Sequence, residues 1–258
     1  MISHDEQVDR QFGPVAAAYV TSAVHAQGED LARIARSLRE HANVHGPAVV
    51  LDVGCGGGHL SFAMAPEAAS VVACDLSPEM LSAVAGEAER RGLRNLVTQQ
   101  GAAEALPFAD ASFDWVCTRF SAHHWADLHA GLREMRRVLK PGGRVIVIDV
   151  VAPASGLLDT HLQAVELIRD PSHVRDHSLT QWADQLARVG LRIDAQDTWP
   201  LRMVFDTWVA RMKTPADRVA VLRSLLQSAP REVREYFKVT ADSSFDIDVA
   251  WIDASIAD

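Results

Sequence analysis

Residues 49–60 read VVLDVGCGGGHL, an apolar run that breaks into glycines before a helix-forming segment begins. Glycine lets the backbone turn sharply and places no side chain between the main chain and a ligand. A second apolar run, residues 71–75, ends in the single carboxylate of Asp75. In a doubly wound α/β sheet the ends of two such strands face one crevice, in which ligands bind. A carboxylate there can accept hydrogen bonds from two hydroxyl groups, so the two runs predict a site for a ribose.

The glycine spacing distinguishes between nucleotide ligands. A dinucleotide site needs G-x-G-x-x-G, whose third glycine lets the helix pack close below a pyrophosphate. His59 occupies that third position, and the chain has no G-x-x-x-x-G-K-[ST] phosphate loop. The remaining pattern, E/D-x-G-x-G-x-G, is typical of a ligand that has an adenosine but no phosphate.

Further blocks follow Asp75 in a fixed order. They are LSPEML at 76–81, GAAEALPF at 101–108, SFDWVC at 112–117 and LKPGGR at 139–144. In this order they resemble the class I S-adenosylmethionine (SAM)-dependent methyltransferases, and more narrowly the ubiquinone/menaquinone C-methyltransferase-like family. The resemblance implies SAM as the cofactor and S-adenosyl-L-homocysteine (SAH) as its product.

The resemblance also implies the residues of the cofactor site. The backbone of Gly54, Cys55 and Gly56 would contact the methionine part of SAM, and Asp75 would hold the ribose. Asp52 would either hold the turn or receive the ammonium group through water. The other implied positions are Leu76, Met80, Ala102, Ala103, Arg119 and Tyr19.

Two of these positions leave alternatives open. Ala102 stands where family members often carry an acidic residue that binds the adenine amine, although backbone contacts from Ala102 and Ala103 would remain. Tyr19 lies in a segment that resembles the family's F-x-x-x-A-x-x-Y pattern, which folds over SAM. Simple packing of an N-terminal helix accounts for Tyr19 almost as well.

The segment 119–125, RFSAHHW, directly follows the predicted fourth strand and would face the same crevice. A neutral imidazole is the commonest general base near neutral pH, which makes His124 and His123 candidate catalytic residues. Adjacent residues point in different directions, so we expect at most one of them to reach a reacting atom. Taken singly, each histidine is more typical of a structural hydrogen bond, whereas the adjacent pair favours a functional role. Phe120 and Trp125 are candidates for substrate binding, and Arg119 could grip an anionic substrate instead of SAM.

A second polar cluster lies in the predicted cap, where DPSHVR at 170–175 has the composition of a tight turn. His173 and Arg175 could meet an acidic or hydroxylated substrate group if the cap folds over the pocket. A solvated turn is the alternative. The SAHHW and SHVR elements together resemble a small subgroup of these methyltransferases. The histidines lack the spacing of metal ligands, so we expect no metal site.

Composition restricts the partners. The formal net charge of −9 argues against nucleic acid as the substrate, because a phosphate backbone requires a positive surface. Cys55, Cys74 and Cys117 lie on or beside predicted strands and are typical of small buried side chains in a reducing compartment. The polar first residues do not resemble a secretory signal, and no apolar stretch is long enough to span a bilayer. We therefore expect a cytoplasmic protein without an integral membrane segment.

Alternating strand and helix patterns predict an α/β fold with a Rossmann-like, doubly wound, mostly parallel seven-stranded sheet, N-terminal helices and a helical cap. We expect one methyltransferase domain, 1–258, in which 1–46 is a helical segment, 47–151 the SAM-binding core and 152–258 the substrate cap and the C-terminal part of the sheet. Strands are predicted at 49–53, 71–75, 96–99, 113–118, 144–151 and 191–199, and helices at 58–65, 78–91, 127–139 and 179–189. Residues 245–252 predict a final edge strand, and apolar residues of the helical stretch 206–237 could form core, a pocket wall or a homodimer surface.

Three functions fit these observations. The favoured one is methyl transfer from SAM to a small-molecule acceptor, aromatic or quinone-like by the family resemblance. A non-catalytic SAM- or SAH-binding protein with a sensing or interaction role is the alternative, since a fold does not fix a function. A nucleotide-dependent oxidoreductase is disfavoured by the glycine spacing.

Overall fold

Seven strands form one sheet in the computed structural model, which describes residues 2–13 and 28–257. They are β1 (Val49–Val53), β2 (Ser70–Asp75), β3 (Leu96–Gln100), β4 (Phe113–Arg119), β5 (Leu139–Val151), β6 (Leu191–Met203) and β7 (Phe245–Ile256). Their spatial order is β3-β2-β1-β4-β5-β7-β6. The first five pair in parallel, and β7 runs antiparallel to both of its neighbours. The α/β, Rossmann-like, mostly parallel fold expected from the sequence is confirmed.

Helices cover the sheet. They are α1 (His4–Phe12), α2 (Glu29–His45), α3 (His59–Met64), α4 (Pro78–Arg91), α5 (Leu128–Val138), α6 (Gly156–Arg169), α7 (Leu179–Arg188), α8 (Phe205–Arg211), α9 (Ala216–Ser228) and α10 (Arg231–Tyr236), with a 3-10 turn at Ala122–His124. No helix among the described residues is both long and apolar enough to cross a bilayer.

Local sequence explains the bounds of α4, which match the sequence expectation. Ser77 occupies the N-cap position, and Pro78 stands in the first turn, where its missing N–H is not needed. Gly92 ends the helix with a φ of 71°, a left-handed conformation that glycine adopts without strain. Val84 and Ala88 lie on its buried face, so the helix packs close beneath the glycine turn.

The final strand is not at the edge of the sheet, and that expectation was wrong. β7 pairs with β5 from Arg144↔Ser255 to Val151↔Asp248 and with β6 along its other side. β6 is therefore the edge strand at this end of the sheet, and β3 is the edge strand at the other. Alternating hydrophobicity identifies β7 as a strand, but it does not tell which strands pair with it.

The core has a layer on each face of the sheet. On one face α2, α3 and α4 contribute residues such as Ile34, Leu60 and Val84. On the other, α5 and α7 contribute residues such as Leu132 and Leu186. A third cluster joins α6 and the segment 204–244 to the C-terminal ends of β5 and β6 and the N-terminal end of β7. Its largest buried members are Trp208, Phe205 and Phe245.

Candidate active site

The glycine turn after β1 is tied to the end of β2. Asp75 accepts a hydrogen bond from the Gly56 amide at Oδ2 (2.8 Å) and from the Ser77 amide at Oδ1 (3.0 Å). Gly54 and Gly56 have φ of 67° and 48°, in the left-handed region that favours glycine. Burial raises the pKa of Asp75, and these backbone N–H groups partly oppose the rise. The carboxylate is thus fixed beside the turn, with further acceptor positions left for a ligand.

Asp52, at the end of β1, is almost fully buried beneath this turn. The Ser61 hydroxyl donates to its Oδ2 (2.6 Å), whereas its Oδ1 has no hydrogen-bond partner among the residues that the structure describes. Burial raises the pKa of Asp52 to about 7, with Ser61 opposing the rise and Asp75 adding to it. An unpartnered carboxylate oxygen at a cavity wall is what a ligand ammonium group would satisfy.

We call the space around this turn the first cavity. Nine of the sequence-predicted cofactor residues line it: Asp52, Gly54, Cys55, Gly56, Asp75, Leu76, Met80, Ala103 and Arg119. Ala102 is not among the lining residues, and its neighbours Gly101 and Glu104 are. Tyr19 lies outside the described residues. Helix α1 closes one side with His4, Asp5, Val8 and Phe12.

The loop after β4 packs directly on the glycine turn. A Cβ added at Gly54 would lie 1.8 Å from the Ser121 hydroxyl oxygen, so only glycine permits this approach. The same hydroxyl accepts a hydrogen bond from the Trp125 indole N–H (3.1 Å). Phe120 turns the chain with a φ of 50°, strained for a residue with a side chain. The loop is therefore held in one conformation against the turn.

A second cavity, of about 670 Å³, lies beside the first. Its apolar wall comprises Phe12, Phe120, Val150, Trp199, Leu201, Met203, Trp208, Met212 and Ile247. Its polar side chains comprise Glu29, Asp30, Arg33, Arg36, Arg119, His123, His124, Glu166, Arg169, Asp170, Asp197 and Arg211. The size and mixed lining are typical of a pocket for a small organic molecule.

Four residues line both cavities: Phe12, Arg119, Phe120 and His124. Arg119 pairs with Asp30 through a 2.5 Å contact, with both side chains nearly inaccessible. The Phe12 ring meets the His124 ring edge-on at 5.0 Å. His124 is therefore the imidazole that stands where the two cavities meet.

The two adjacent histidines have different surroundings. His123 Nδ1 lies 2.6 Å from Asp149 Oδ1, whereas His124 Nδ1 lies 3.1 Å from the Ser172 carbonyl oxygen. Burial works against a charge on His123, but Asp149 outweighs it through attraction and the hydrogen bond, raising the pKa of His123 to about 9. Burial and the neighbouring His123 charge lower the pKa of His124. Asp149 thus favours the charged form of the first ring, whereas burial beside His123 favours the neutral form of the second.

His173 and Arg175 line neither cavity. The buried His173 is hydrogen-bonded to Gln163 at 3.0 Å, and Arg175 pairs with Asp159 at 2.7 Å. The backbone of this segment has another use, since the N–H groups of Val174 and Arg175 both donate to the carbonyl of His123. The segment 170–177 thus supports residues 120–125, which we call the histidine loop, through the His123 carbonyl. Trp125 of this loop lines the first cavity only.

Several site residues escaped sequence reasoning. Asp149 lies within an apolar strand, where nothing in the pattern marks it as the partner of a histidine. The sequence around Asp170 and Ser172 indicates only a tight turn. Glu104 carries the only carboxylate of the GAAEALPF block, and that signal could have placed it at the cavity. Among the described residues no cluster of histidine, cysteine or carboxylate side chains is arranged to hold a metal ion.

Comparison with known proteins agrees with this geometry. A family model described as a methyltransferase domain matches residues 51–147. The uncharacterized Escherichia coli (strain K12) protein YafE is 47% identical over 197 residues, which cover 76% of this chain and 95% of that protein. The uncharacterized methyltransferase YcgJ of Bacillus subtilis (strain 168) is 35% identical over 90% of each chain. Its crystal structure aligns with a TM-score of 0.82 at 33% identity, covering 88% of this chain and 99% of that one.

A demethylmenaquinone methyltransferase of Deinococcus radiodurans is more distant, 39% identical over 124 residues that cover 47% of this chain and 51% of that protein. The fold, the glycine turn with its carboxylate and these relatives define one class of enzyme. The chain belongs to the class I SAM-dependent methyltransferases. Its cofactor is SAM, whose sulfonium carries the methyl group to be transferred.

Proposed function

We propose that this methyltransferase acts on a small-molecule acceptor held in the second cavity, with His124 as the general base. The observation that carries the proposal is that His124 lines both cavities, since a base for methyl transfer must stand between the methyl donor and the acceptor. The neutral form of His124 at physiological pH suits this role.

In the first cavity we assign the ribose to Asp75 and the ammonium group to the unpartnered Oδ1 of Asp52. The backbone of Gly54, Cys55 and Gly56 would contact the methionine part. Leu76, Met80 and Ala103 would flank the adenine. Ala102 would contribute only through its backbone, and Glu104 is the carboxylate nearest in sequence that could receive the adenine amine.

Bound SAM supplies a methyl group that is already activated by its positive sulfur. The protein must therefore align the acceptor, remove its proton and exclude water. His124 takes the proton, Phe120 and the apolar wall position the acceptor, and helix α1 covers the junction through Phe12. Arg119 remains tied to Asp30 and helps to form the partition between the two cavities.

An aromatic or quinone-like acceptor fits this wall, in which Trp199 and Trp208 face the cavity among aliphatic residues. The similarity to a protein named demethylmenaquinone methyltransferase also supports a quinone-like acceptor. We retain the expectations that nucleic acid is not the substrate, that the protein is cytoplasmic and that it could form a homodimer; each remains a prediction.

The test is label transfer from methyl-labelled SAM into a fractionated small-molecule extract, with Asp75→Ala as the control. We expect label in one fraction, absent with the variant, and the labelled product then identifies the acceptor. SAH binding by the wild-type protein with no label in any fraction would instead favour the non-catalytic alternative.

A further inference from the structure

His123 and His124 both line the second cavity. Both Nδ1 atoms are engaged, with Asp149 and with the Ser172 carbonyl. Neither Nε2 makes a hydrogen bond to a described residue, and the carboxylate nearest to Nε2 of His124, that of Asp170, is 4.0 Å away. The ring centroids are 4.2 Å apart, and 15% and 12% of the two side chains remain accessible. Two neighbouring ring nitrogens are thus open to a ligand.

The two nitrogens have opposite hydrogen-bonding character. The Ser172 carbonyl can only accept, so Nδ1 of His124 carries its hydrogen and Nε2 offers a lone pair. The Ser172 hydroxyl cannot reverse this, because it already donates to Asp170 Oδ1 (2.6 Å). His123 Nδ1 is paired with Asp149 at 2.6 Å, and the ring also faces the carboxylates of Asp176 and Glu166, which favour its charged form. In that form both ring nitrogens carry a hydrogen, so Nε2 is a donor.

We infer that His123 and His124 form a donor–acceptor pair that selects an acceptor with two oxygens on neighbouring carbon atoms, one a hydroxyl or enol and the other a carbonyl, hydroxyl or ionised oxygen. The inference rests on the proposed function and names its substrate class. The hydroxyl would face Nε2 of His124, and the second oxygen would accept from Nε2–H of His123. An acceptor with one oxygen leaves one buried imidazole nitrogen unpaired, which discriminates against it.

The proton and the electrons balance in one displacement. The hydroxyl proton moves to Nε2 of His124 as the oxygen–methyl bond forms. The methyl–sulfur bond breaks with its electron pair on sulfur, which leaves a neutral thioether. For an enol the new bond forms to carbon, and the proton takes the same route. Asp170 Oδ2, 4.0 Å from Nε2, then stabilises the imidazolium.

The first test reads the histidines directly in the whole chain without ligand. Nitrogen-15 NMR of ¹⁵N-histidine-labelled protein at pH 7 should show His123 protonated on both nitrogens and His124 protonated on Nδ1 only. A neutral His123, or a His124 that carries its hydrogen on Nε2, would overturn the inference.

The second test uses matched probes in the presence of SAH: catechol against phenol, and 2,3-dihydroxynaphthalene against 2-naphthol. The two-oxygen member of each pair should bind at least about 10-fold tighter, and it should shift the resonances of both histidines. His123→Leu, which removes the N–H donor, should abolish this preference. His129→Leu, at an exposed histidine away from both cavities, should leave it unchanged. Equal affinities within each pair, or no binding by any of the four probes, would contradict the inference.

These outcomes separate the two proposals. Label transfer to an acceptor with a single oxygen would leave the proposed function intact and refute the two-oxygen selection. Preferential binding of the two-oxygen probes without methyl transfer to any small molecule would leave the two-oxygen selection intact and refute the proposed function.

Discussion

The Asp149 carboxylate holds His123 in two ways. Its Oδ1 lies 2.6 Å from His123 Nδ1, and its Oδ2 accepts the backbone N–H of Ala122 (2.9 Å), the residue immediately before the histidine. Both the charge and the position of the His123 ring thus depend on one residue of β5. The pH at which the ring loses its proton is the measurable consequence.

Changing Asp149 to Asn should remove a pH-dependent part of the stability. The folded pKa of His123, about 9, lies above its ordinary value, so the stabilisation is complete below about pH 6.5 and is lost as the pH rises through 9. The free energy of unfolding in urea, compared at pH 6.5 and 9.5, should fall by about 2–3 kcal/mol more in the wild type than in Asp149→Asn. Asp176, Glu166, His173 and His124 also face this ring and are unchanged in the variant, so their titration largely cancels. The same fall in both proteins would contradict the pairing.

Binding of SAH should release a proton from Asp52. Its pKa of about 7 leaves the carboxyl roughly half protonated at pH 7, and a nearby ammonium group favours ionisation. Calorimetry in two buffers of different ionisation enthalpy should show about half a proton released by the wild type, and none from this group in Asp52→Asn. Equal proton release by the two proteins would exclude Asp52 as the ammonium partner.

Asp75→Ala should weaken SAH binding by about 10- to 100-fold, because charge-assisted hydrogen bonds to the ribose are lost. Asp75→Asn keeps one acceptor oxygen, so its affinity for SAH should lie between those of Asp75→Ala and the wild type. Asp110→Ala, at an exposed carboxylate, is the matched control and should bind normally. Unchanged affinity in Asp75→Ala, measured by equilibrium titration, would refute the ribose assignment.

Gly54→Ala should destabilise the protein more than Gly142→Ala. Both glycines have positive φ, 67° and 77°, so both variants incur a backbone penalty of about 1–2 kcal/mol. At Gly142 a Cβ meets nothing within 4 Å, whereas at Gly54 it would collide with Ser121. We expect about 1–3 kcal/mol of additional loss for Gly54→Ala in urea unfolding, together with slower turnover as the histidine loop is displaced. Equal free energies of unfolding for Gly54→Ala and Gly142→Ala would show that the loop around Ser121 moves aside without a measurable energetic cost.

His124→Ala should lower the turnover number by about 100-fold while SAH affinity changes little, because the general base is lost and the first cavity is retained. Steady-state kinetics with the labelled acceptor and SAH titration measure the two effects separately. A parallel loss of turnover and SAH affinity would assign His124 a structural role.

The convergence of the glycine turn and Asp75 on the first cavity could be predicted from sequence, because these motifs determine backbone geometry. Gly54 and Gly56 must adopt left-handed conformations, and Asp75 must end a strand beside them, so the spacing alone brings them together. Helix α4 was predicted with its observed bounds because Ser77, Pro78 and Gly92 are local signals.

The acceptor half could not be predicted in the same way, because it depends on contacts between distant segments. Nothing local to Asp149 shows that it will meet His123, and the composition of residues 170–175 does not reveal that His173 points away from both cavities. The position of β7 inside the sheet likewise depends on pairing, which alternation leaves open.

Met203 and Phe245 are paired neighbours on β6 and β7. The segment 204–244 therefore leaves the sheet and returns to it at the same place, carrying Trp208 and Met212 to the wall of the second cavity. Because its two ends are adjacent on the sheet, a change in the length or sequence of this segment need not alter the strand order, yet it reshapes the wall of the second cavity at Trp208 and Met212.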